Sequence, residues 1–318
     1  DLPGLQPEIG ELRHYPLGAT LAHVVGYVGA VAEDDLDGDP VLELPGFNIG
    51  KSGVERRREN DLRGKAGVSR VEVNAVGRVI RELTRNDGLP GEDVVLTIDS
   101  ELQEYVRQRL EGESAASVVL DIHTGEVLAL SSEPGFDPQV FTRGLTNKAW
   151  SALTEDPRSP LMNKAISGQY PPGSTFKMMV ALAGLESGVI TPAHRVFCNG
   201  EMELGNNIFH CWKRRGHGEL DLLNGIEQSC DVYFYDLSLR VGVDRIGEMA
   251  RRFGFGSLTT IGLPGERAGS IPSRDWKLAT YGAPWQQGET LVTAIGQGFV
   301  LATPLQLALM AARLANGG

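Results

Sequence analysis

Tyr170-Pro-Pro-Gly-Ser174-Thr-Phe-Lys177 leads into an apolar run from Met178 to Leu185 and places a hydroxyl three residues before an amine. Residues three apart share one face of a helix, so the Lys177 amine is within reach of the Ser174 proton, as in an activated serine nucleophile. Two prolines and a glycine deliver the chain to Ser174 at or near a helix N-terminus, whose positive end favours an oxyanion on an attacked carbonyl. The helix that follows is apolar nearly all round and is expected to be buried, which leaves its first turn facing a cleft. The 17 serines and 7 lysines of the 318 residues give about 0.4 Ser-x-x-Lys pairs by chance. The pair therefore needs a context, the alternative being an N-capping serine beside a solvated lysine.

A second cluster supplies one. Ser229-Cys230-Asp231 follows a helical stretch ending near Gln228 and precedes another from Val232 to Val241. Ser273-Arg274-Asp275 has the same form, but order and placement favour Ser229. Every cysteine lies close by: Cys198, Cys211 and Cys230, with His217 among them, spell Cys-x12-Cys-x5-His-x12-Cys. Three thiolates and an imidazole would make a closed tetrahedral site for a structural Zn2+. His210 could stand in for His217. The same residues also read as a disulfide plus one free thiol, or as three unrelated thiols. No organic cofactor is expected. Because Cys230 sits inside Ser229-x-Asp231, a metal there would tie the segment 198–217 to the second motif.

The elements that must position these groups are partly legible. Asp93 to Asp99 reads as a strand, and Ser100 caps a helix through about Leu110. Ser117 to Ile122 and Glu126 to Ser131 flank His123-Thr124-Gly125, a hairpin signal. From residue 145 the pattern is mostly helical, with Gly188, Gly242 and Gly254 at expected helix ends and Thr303-Pro304 opening a last apolar helix. The predicted fold class is α+β, an antiparallel sheet with a helical subdomain. Residues 1–90 read as an irregular β-rich module with strand-like runs at Val24 to Val28 and Val71 to Val76, and the turn Asn86 to Gly91 marks the boundary with 91–318. The acidic loop Glu33 to Asp39 and the cluster Arg56-Arg57-Arg58 read as solvated surface. Trp212, Trp276 and Trp285 read as packing residues, with the lining of a substrate groove as the alternative, and His14, His23 and His123 as surface or internally satisfied histidines.

Composition narrows the classes. With 41% hydrophobic and 22% charged residues the chain is an ordinary globular protein, and a net charge of −11 makes nucleic acid a poor partner. Ala19 to Val31, broken by His23 and two glycines, falls short of the ~20 residues of a membrane span. The first twelve residues carry no basic leader region, and both ends read as cut from something longer.

Ser159 through Lys177, followed by Ser229-x-Asp231, closely resembles the class B penicillin-binding proteins of bacterial cell elongation, the penicillin-binding protein 2 family. His23-Val-Val-Gly-Tyr-Val-Gly29, Gly50 to Glu55, Leu62-Arg-Gly64 and Val71 to Arg78 resemble that family's non-catalytic pedestal. Gly265-Glu266, Ile271-Pro272, Ala294-Ile-Gly-Gln-Gly298 and Thr303 to Ala308 resemble its transpeptidase domain, so the likeness runs over essentially the whole chain. It implies a partial pedestal (dimerisation or partner) module over 1–90 and a serine β-lactamase/transpeptidase-like domain over 91–318. It also implies acyl transfer. Ser174 would attack the penultimate D-Ala carbonyl of a peptidoglycan stem peptide ending in D-Ala-D-Ala, release D-Ala and pass the acyl group to an amine on a neighbouring strand. Lys177 would be the base, with Ser229 and Asp231 relaying protons and orienting it, and β-lactams would acylate the same serine. The implied partners are a membrane glycosyltransferase (RodA) and a rod-complex scaffold (MreC), meeting surfaces such as Val71 to Arg85 and the acidic loop, at the periplasmic face of the inner membrane.

Asp231, where Asn is commoner, fits the elongation enzyme and argues against a class A β-lactamase. A class D-like β-lactamase or a carboxypeptidase shares Ser-Thr-Phe-Lys but lacks the pedestal-like segment; a non-enzymatic penicillin sensor or scaffold is the remaining alternative. One element departs from the pattern. A Lys-Thr/Ser-Gly strand is expected after Ser229, where the only lysine is Lys277, in Trp276-Lys277-Leu278. Lys51-Ser52-Gly53 matches formally but precedes the nucleophile and belongs to the pedestal-like segment. A chain without that strand is expected to acylate poorly.

Overall fold

The computed structural model describes residues 12–142 and 144–317; the first eleven residues, read above for a leader, lie outside them. The backbone gathers into two compact units that are not colinear with the sequence. One comprises residues up to Ser117, Val127–Asn163 and Gly262–Gly265; the other comprises Val118–Glu126, Lys164–Ile261 and Glu266–Gly318. Helices and small two-stranded sheets share the chain, an α+β composition. No described helix is long and apolar enough to cross a membrane.

In the first unit, Val28–Ala30 pairs antiparallel with Asn48–Gly50, and Val68–Val73 with Val79–Asn86. The expected strand at Val24 to Val28 is instead the short helix Ala22–Val25, closed by Gly26 N–H on the Ala22 carbonyl. Gly26 overrides the β-branched residues: its φ is +83°, and a Cβ there would stand 2.0 Å from the Ser52 carbonyl oxygen. Lys51-Ser52-Gly53 forms the turn into the helix Gly53–Arg57, well apart in sequence from any nucleophile. His23 is buried with Nε2 2.8 Å from the Pro160 carbonyl oxygen, an internally satisfied histidine.

Two further expectations need correction. Asp93 to Asp99 does not form a strand; it meets Val127–Glu133 through the Asp99 N–H to the Leu128 carbonyl and the Thr97 hydroxyl to the Val127 carbonyl. A threonine hydroxyl there takes an acceptor that ladder pairing would use. The helix Ser100–Leu110 is capped by Asp99, whose carboxylate accepts from Glu101 and Leu102 N–H, rather than by Ser100. The hairpin signal leads to the paired strands Ala115–Leu120 and Val127–Glu133.

The second unit is built on the helix Lys177–Glu186, which packs against Asp231–Val241 and Val243–Arg252, while Gln287–Ala294 covers Asp231–Val241. Phe176, Met179, Val180, Phe234 and Leu237 are fully buried among them. Each such side chain contributes roughly 1.5–3 kcal/mol by leaving water, so the two helices that carry Lys177 and Asp231 are fixed from below. Thr303 caps Pro304–Asn316 reciprocally with Gln306, as Thr-Pro at a helix start predicts. Trp276 and Trp285 are half-buried around Phe299, with Tyr281 against the same ring.

Candidate active site

Gly173–Phe176 is a single 3-10 turn running directly into Lys177–Glu186. In a 3-10 turn the side chains at i and i+3 eclipse, so Ser174 and Lys177 rise on the same side. They differ in burial: Ser174 is exposed, whereas the Lys177 side chain is only 3% exposed. The turn is braced from behind by Gly296, whose carbonyl accepts the Gly173 N–H at 2.9 Å.

Ser229 and Asp231 arrive from the junction between the helices Leu222–Glu227 and Asp231–Val241. Ser229 sits in the left-handed region at φ +50°, a conformation disfavoured for a residue with a Cβ and common where function demands it. That backbone turns both its carbonyl and its hydroxyl toward the lysine. Lys177 Nζ donates to the Ser229 carbonyl at 2.8 Å, to Ser229 Oγ at 3.0 Å and to Asp231 Oδ1 at 2.6 Å. Ser229 Oγ in turn donates to Ser174 Oγ at 2.8 Å. The structure thus gathers Ser174, Ser229, Lys177 and Asp231 into one continuous hydrogen-bonded chain, open to solvent at the Ser174 end. The Asp231 side chain is 13% exposed. The Phe234 ring lies under the amine, its centroid 5.6 Å from Nζ.

The four metal-ligand candidates also meet. Cys198 ends the strand Val196–Cys198, Cys211 follows Asn207–His210, His217 precedes Gly218–Leu220, and Cys230 is the N-cap position just before the helix Asp231–Val241. Their ligand atoms all lie within 4.8 Å of one another. His217 Nδ1 is 3.6 Å from both Cys198 Sγ and Cys211 Sγ. The three thiols are buried and not bonded to one another. Burial pushes the Cys230 thiol well above its ordinary range, and burial, with Lys213 adding to it, lowers His217, which favours a neutral imidazole with a free lone pair. His210 stands apart, exposed and 3.3 Å from Glu201.

Trp212 corrects the packing expectation, being 62% exposed. Its backbone N–H donates to Asp231 Oδ2 at 2.9 Å, and its indole N–H is shared between the Gln228 and Ser229 carbonyls at 3.1 Å each. Its position directly after Cys211 was the available signal, since whatever fixes Cys211 fixes the next peptide too. Gly296 was visible only as part of a family-like segment.

A family model for the penicillin-binding protein transpeptidase domain matches residues 115–318, and one for the penicillin-binding protein dimerisation domain matches residues 1–96. The peptidoglycan D,D-transpeptidase MrdA of Escherichia coli K12 is 41% identical over 323 aligned residues, covering 99% of this chain and 51% of that protein. The crystal structure of Pseudomonas aeruginosa PBP2 in complex with WCK 5153 superposes with a TM-score of 0.86 at 42% identity, over 98% of this chain and 66% of that one. The complex between PBP2 and MreC from Helicobacter pylori gives a TM-score of 0.89 at 35% identity, over 96% of this chain and 57% of the matched one. The chain spans about half the length of the curated relatives it matches.

Proposed function

Because this chain belongs to the penicillin-binding protein transpeptidase family, we propose that it carries the acylating site of a peptidoglycan D,D-transpeptidase, with Ser174 as nucleophile. One observation carries the reading: a buried amine is joined to an exposed serine through a second hydroxyl, with a carboxylate behind it. Lys177 Nζ has three hydrogen-bond acceptors around it, the Ser229 carbonyl, Ser229 Oγ and Asp231 Oδ1. An ammonium donates to all three. A neutral amine keeps two N–H bonds and turns its lone pair to the one neighbour that can donate in return, the Ser229 hydroxyl. The proton route therefore runs from Ser174 Oγ to Ser229 Oγ to Lys177.

As Ser174 Oγ bonds the penultimate D-Ala carbonyl carbon, its proton passes to Ser229 and the Ser229 proton to Lys177, whose new charge the Asp231 carboxylate balances. The same path returns a proton to the departing amine as the C–N bond breaks and D-Ala leaves. An incoming amine then displaces Ser174 from the acyl carbon and surrenders its proton along the reverse route. A β-lactam ring presents a comparable carbonyl and leaves its amine tethered.

A fluorescent penicillin added to the full-length protein is expected to label Ser174 with one equivalent and to remain bound. Label elsewhere, undiminished label in Ser174→Ala, or release within minutes would overturn the assignment, the last in favour of a β-lactamase.

The same reading places the protein at the periplasmic face of the inner membrane, with a membrane glycosyltransferase of the RodA type and an MreC-type scaffold as partners. Support comes from the Helicobacter pylori complex and from the exposed Val71, Val79, Ile80 and Leu83 of the hairpin within 68–86. Cys198, Cys211, His217 and Cys230 would hold a structural Zn2+. The geometry fits: Zn–S near 2.3 Å and Zn–N near 2.0–2.1 Å at the tetrahedral angle set an S···N edge of about 3.6 Å, as found for both sulfurs. When bound, the ion would supply structural cross-linking of four segments and no chemistry on substrate. Protein purified without chelator is expected to carry close to one equivalent of zinc, and Cys198→Ser less than half. Less than a tenth of an equivalent in the unsubstituted protein, with a Cys–Cys crosslink in its mass spectrum, would decide for a disulfide.

A further inference from the structure

Ser229 carries a conflict that the lysine alone does not resolve. A residue with a Cβ relaxes readily out of the left-handed region, and rotating Ser229 would swing its hydroxyl away from Ser174. The 229–230 peptide is held on one side by its N–H, which donates to the Gly225 carbonyl at 3.0 Å, so it is the carbonyl side that must be held while Lys177 gains and loses a proton and its hydrogen bonds redistribute. We propose that Trp212 is that clamp, a positioning residue for acylation at Ser174; the inference rests on the transpeptidase reading above.

Trp212 grips the motif at two points. Its indole N–H bonds the Ser229 carbonyl, which also accepts from Lys177, and its backbone N–H bonds the Asp231 oxygen that faces away from the lysine. Neither donor changes protonation state at any working pH, so both contacts persist through the reaction cycle. The ring stands edge-on to His217, with centroids 5.3 Å apart, and follows Cys211 directly, which gives the clamp a fixed base. Because the indole is largely in solvent, its loss removes little core packing. The N–H is the component that matters.

The test measures acylation by a penicillin as a first-order constant k2 and a separate dissociation constant for the initial complex, in the full-length protein. Trp212→Phe is expected to lower k2 about tenfold, the scale of one lost hydrogen bond, with the dissociation constant within twofold and Tm and zinc content unchanged. Benzothienylalanine at position 212, which keeps the indole shape and lacks only the N–H, is expected to reproduce that fall. Wild-type k2 in the benzothienylalanine protein would overturn the proposal. So would an effect confined to the dissociation constant, which marks a ligand contact, or a drop in Tm that accounts for the lost rate. Failure of the unsubstituted protein to label at Ser174 would instead sink the transpeptidase reading, and the clamp with it.

Discussion

Lys177→Met is expected to slow acylation of Ser174 by about 10²–10⁴-fold, the range lost when a positioned acid–base group is removed. Methionine fills much the same space over Phe234, so the cavity contribution is small, and the effect on rate reports the amine. Stability should fall as well. With side chains 3% and 13% exposed, Lys177 and Asp231 form a shielded pair at 2.6 Å, and removing one partner leaves a buried carboxylate unbalanced. That costs roughly 3–5 kcal/mol, or about 6–20 °C in Tm for a unit of this size. Asp231→Asn in the Lys177→Met background should recover part of the Tm, because an amide needs no counter-charge, and none of the rate. A double variant that regains acylation would show that the lysine acts only as a structural cation.

Gly296→Ala is expected to be nearly as damaging, although the residue bears no functional group. Its φ is +67°, and a Cβ there would stand 2.2 Å from the Gly173 carbonyl oxygen, 2.7 Å from Gly173 N and 2.8 Å from the Phe176 Cβ. These are backbone and core atoms with no room to yield, so the turn bearing Ser174 must move. A displacement near 1 Å at a reacting group can cost about 10²-fold in rate, and a loss of that order is the expected result. Gly188→Ala is the matched control: φ is +68° and nothing lies within 4 Å of the added carbon. It should lose about 1 kcal/mol of stability to backbone strain and nothing in acylation. Unimpaired acylation in Gly296→Ala would show that the turn tolerates relocation.

The parts of the site legible in the sequence are those governed by local spacing. Ser174 and Lys177 share a turn, and Ser229 and Asp231 straddle a helix start flanked by readable helices. Strand expectations fared worse where a single distant contact decides. Val24 is helical because Gly26 must pass beneath the Ser52 carbonyl, and no property of residues 24–28 announces a partner so far along the chain. Asp93 to Asp99 carries a strand's alternation but makes its neighbour contacts partly through a threonine hydroxyl. The clamp by Trp212 was hidden for a different reason. A tryptophan in a sequence reads as buried area, and nothing in its identity tells that the indole N–H and the main-chain N–H both face one motif while the ring stays in water.

Burial of Lys177 and Asp231 also bears on how such a site can change over generations. Under the proposed function each of the two is simultaneously a reactive part and a support for the fold, so a substitution at either is penalised twice, in turnover and in the fraction of molecules that stay folded. Variants that discriminate between a natural substrate and a mimic sharing its carbonyl chemistry must therefore arise among residues outside this shielded pair. A centre of that kind is the least available place for adaptation, and inheritable change in what it accepts is channelled to its rim.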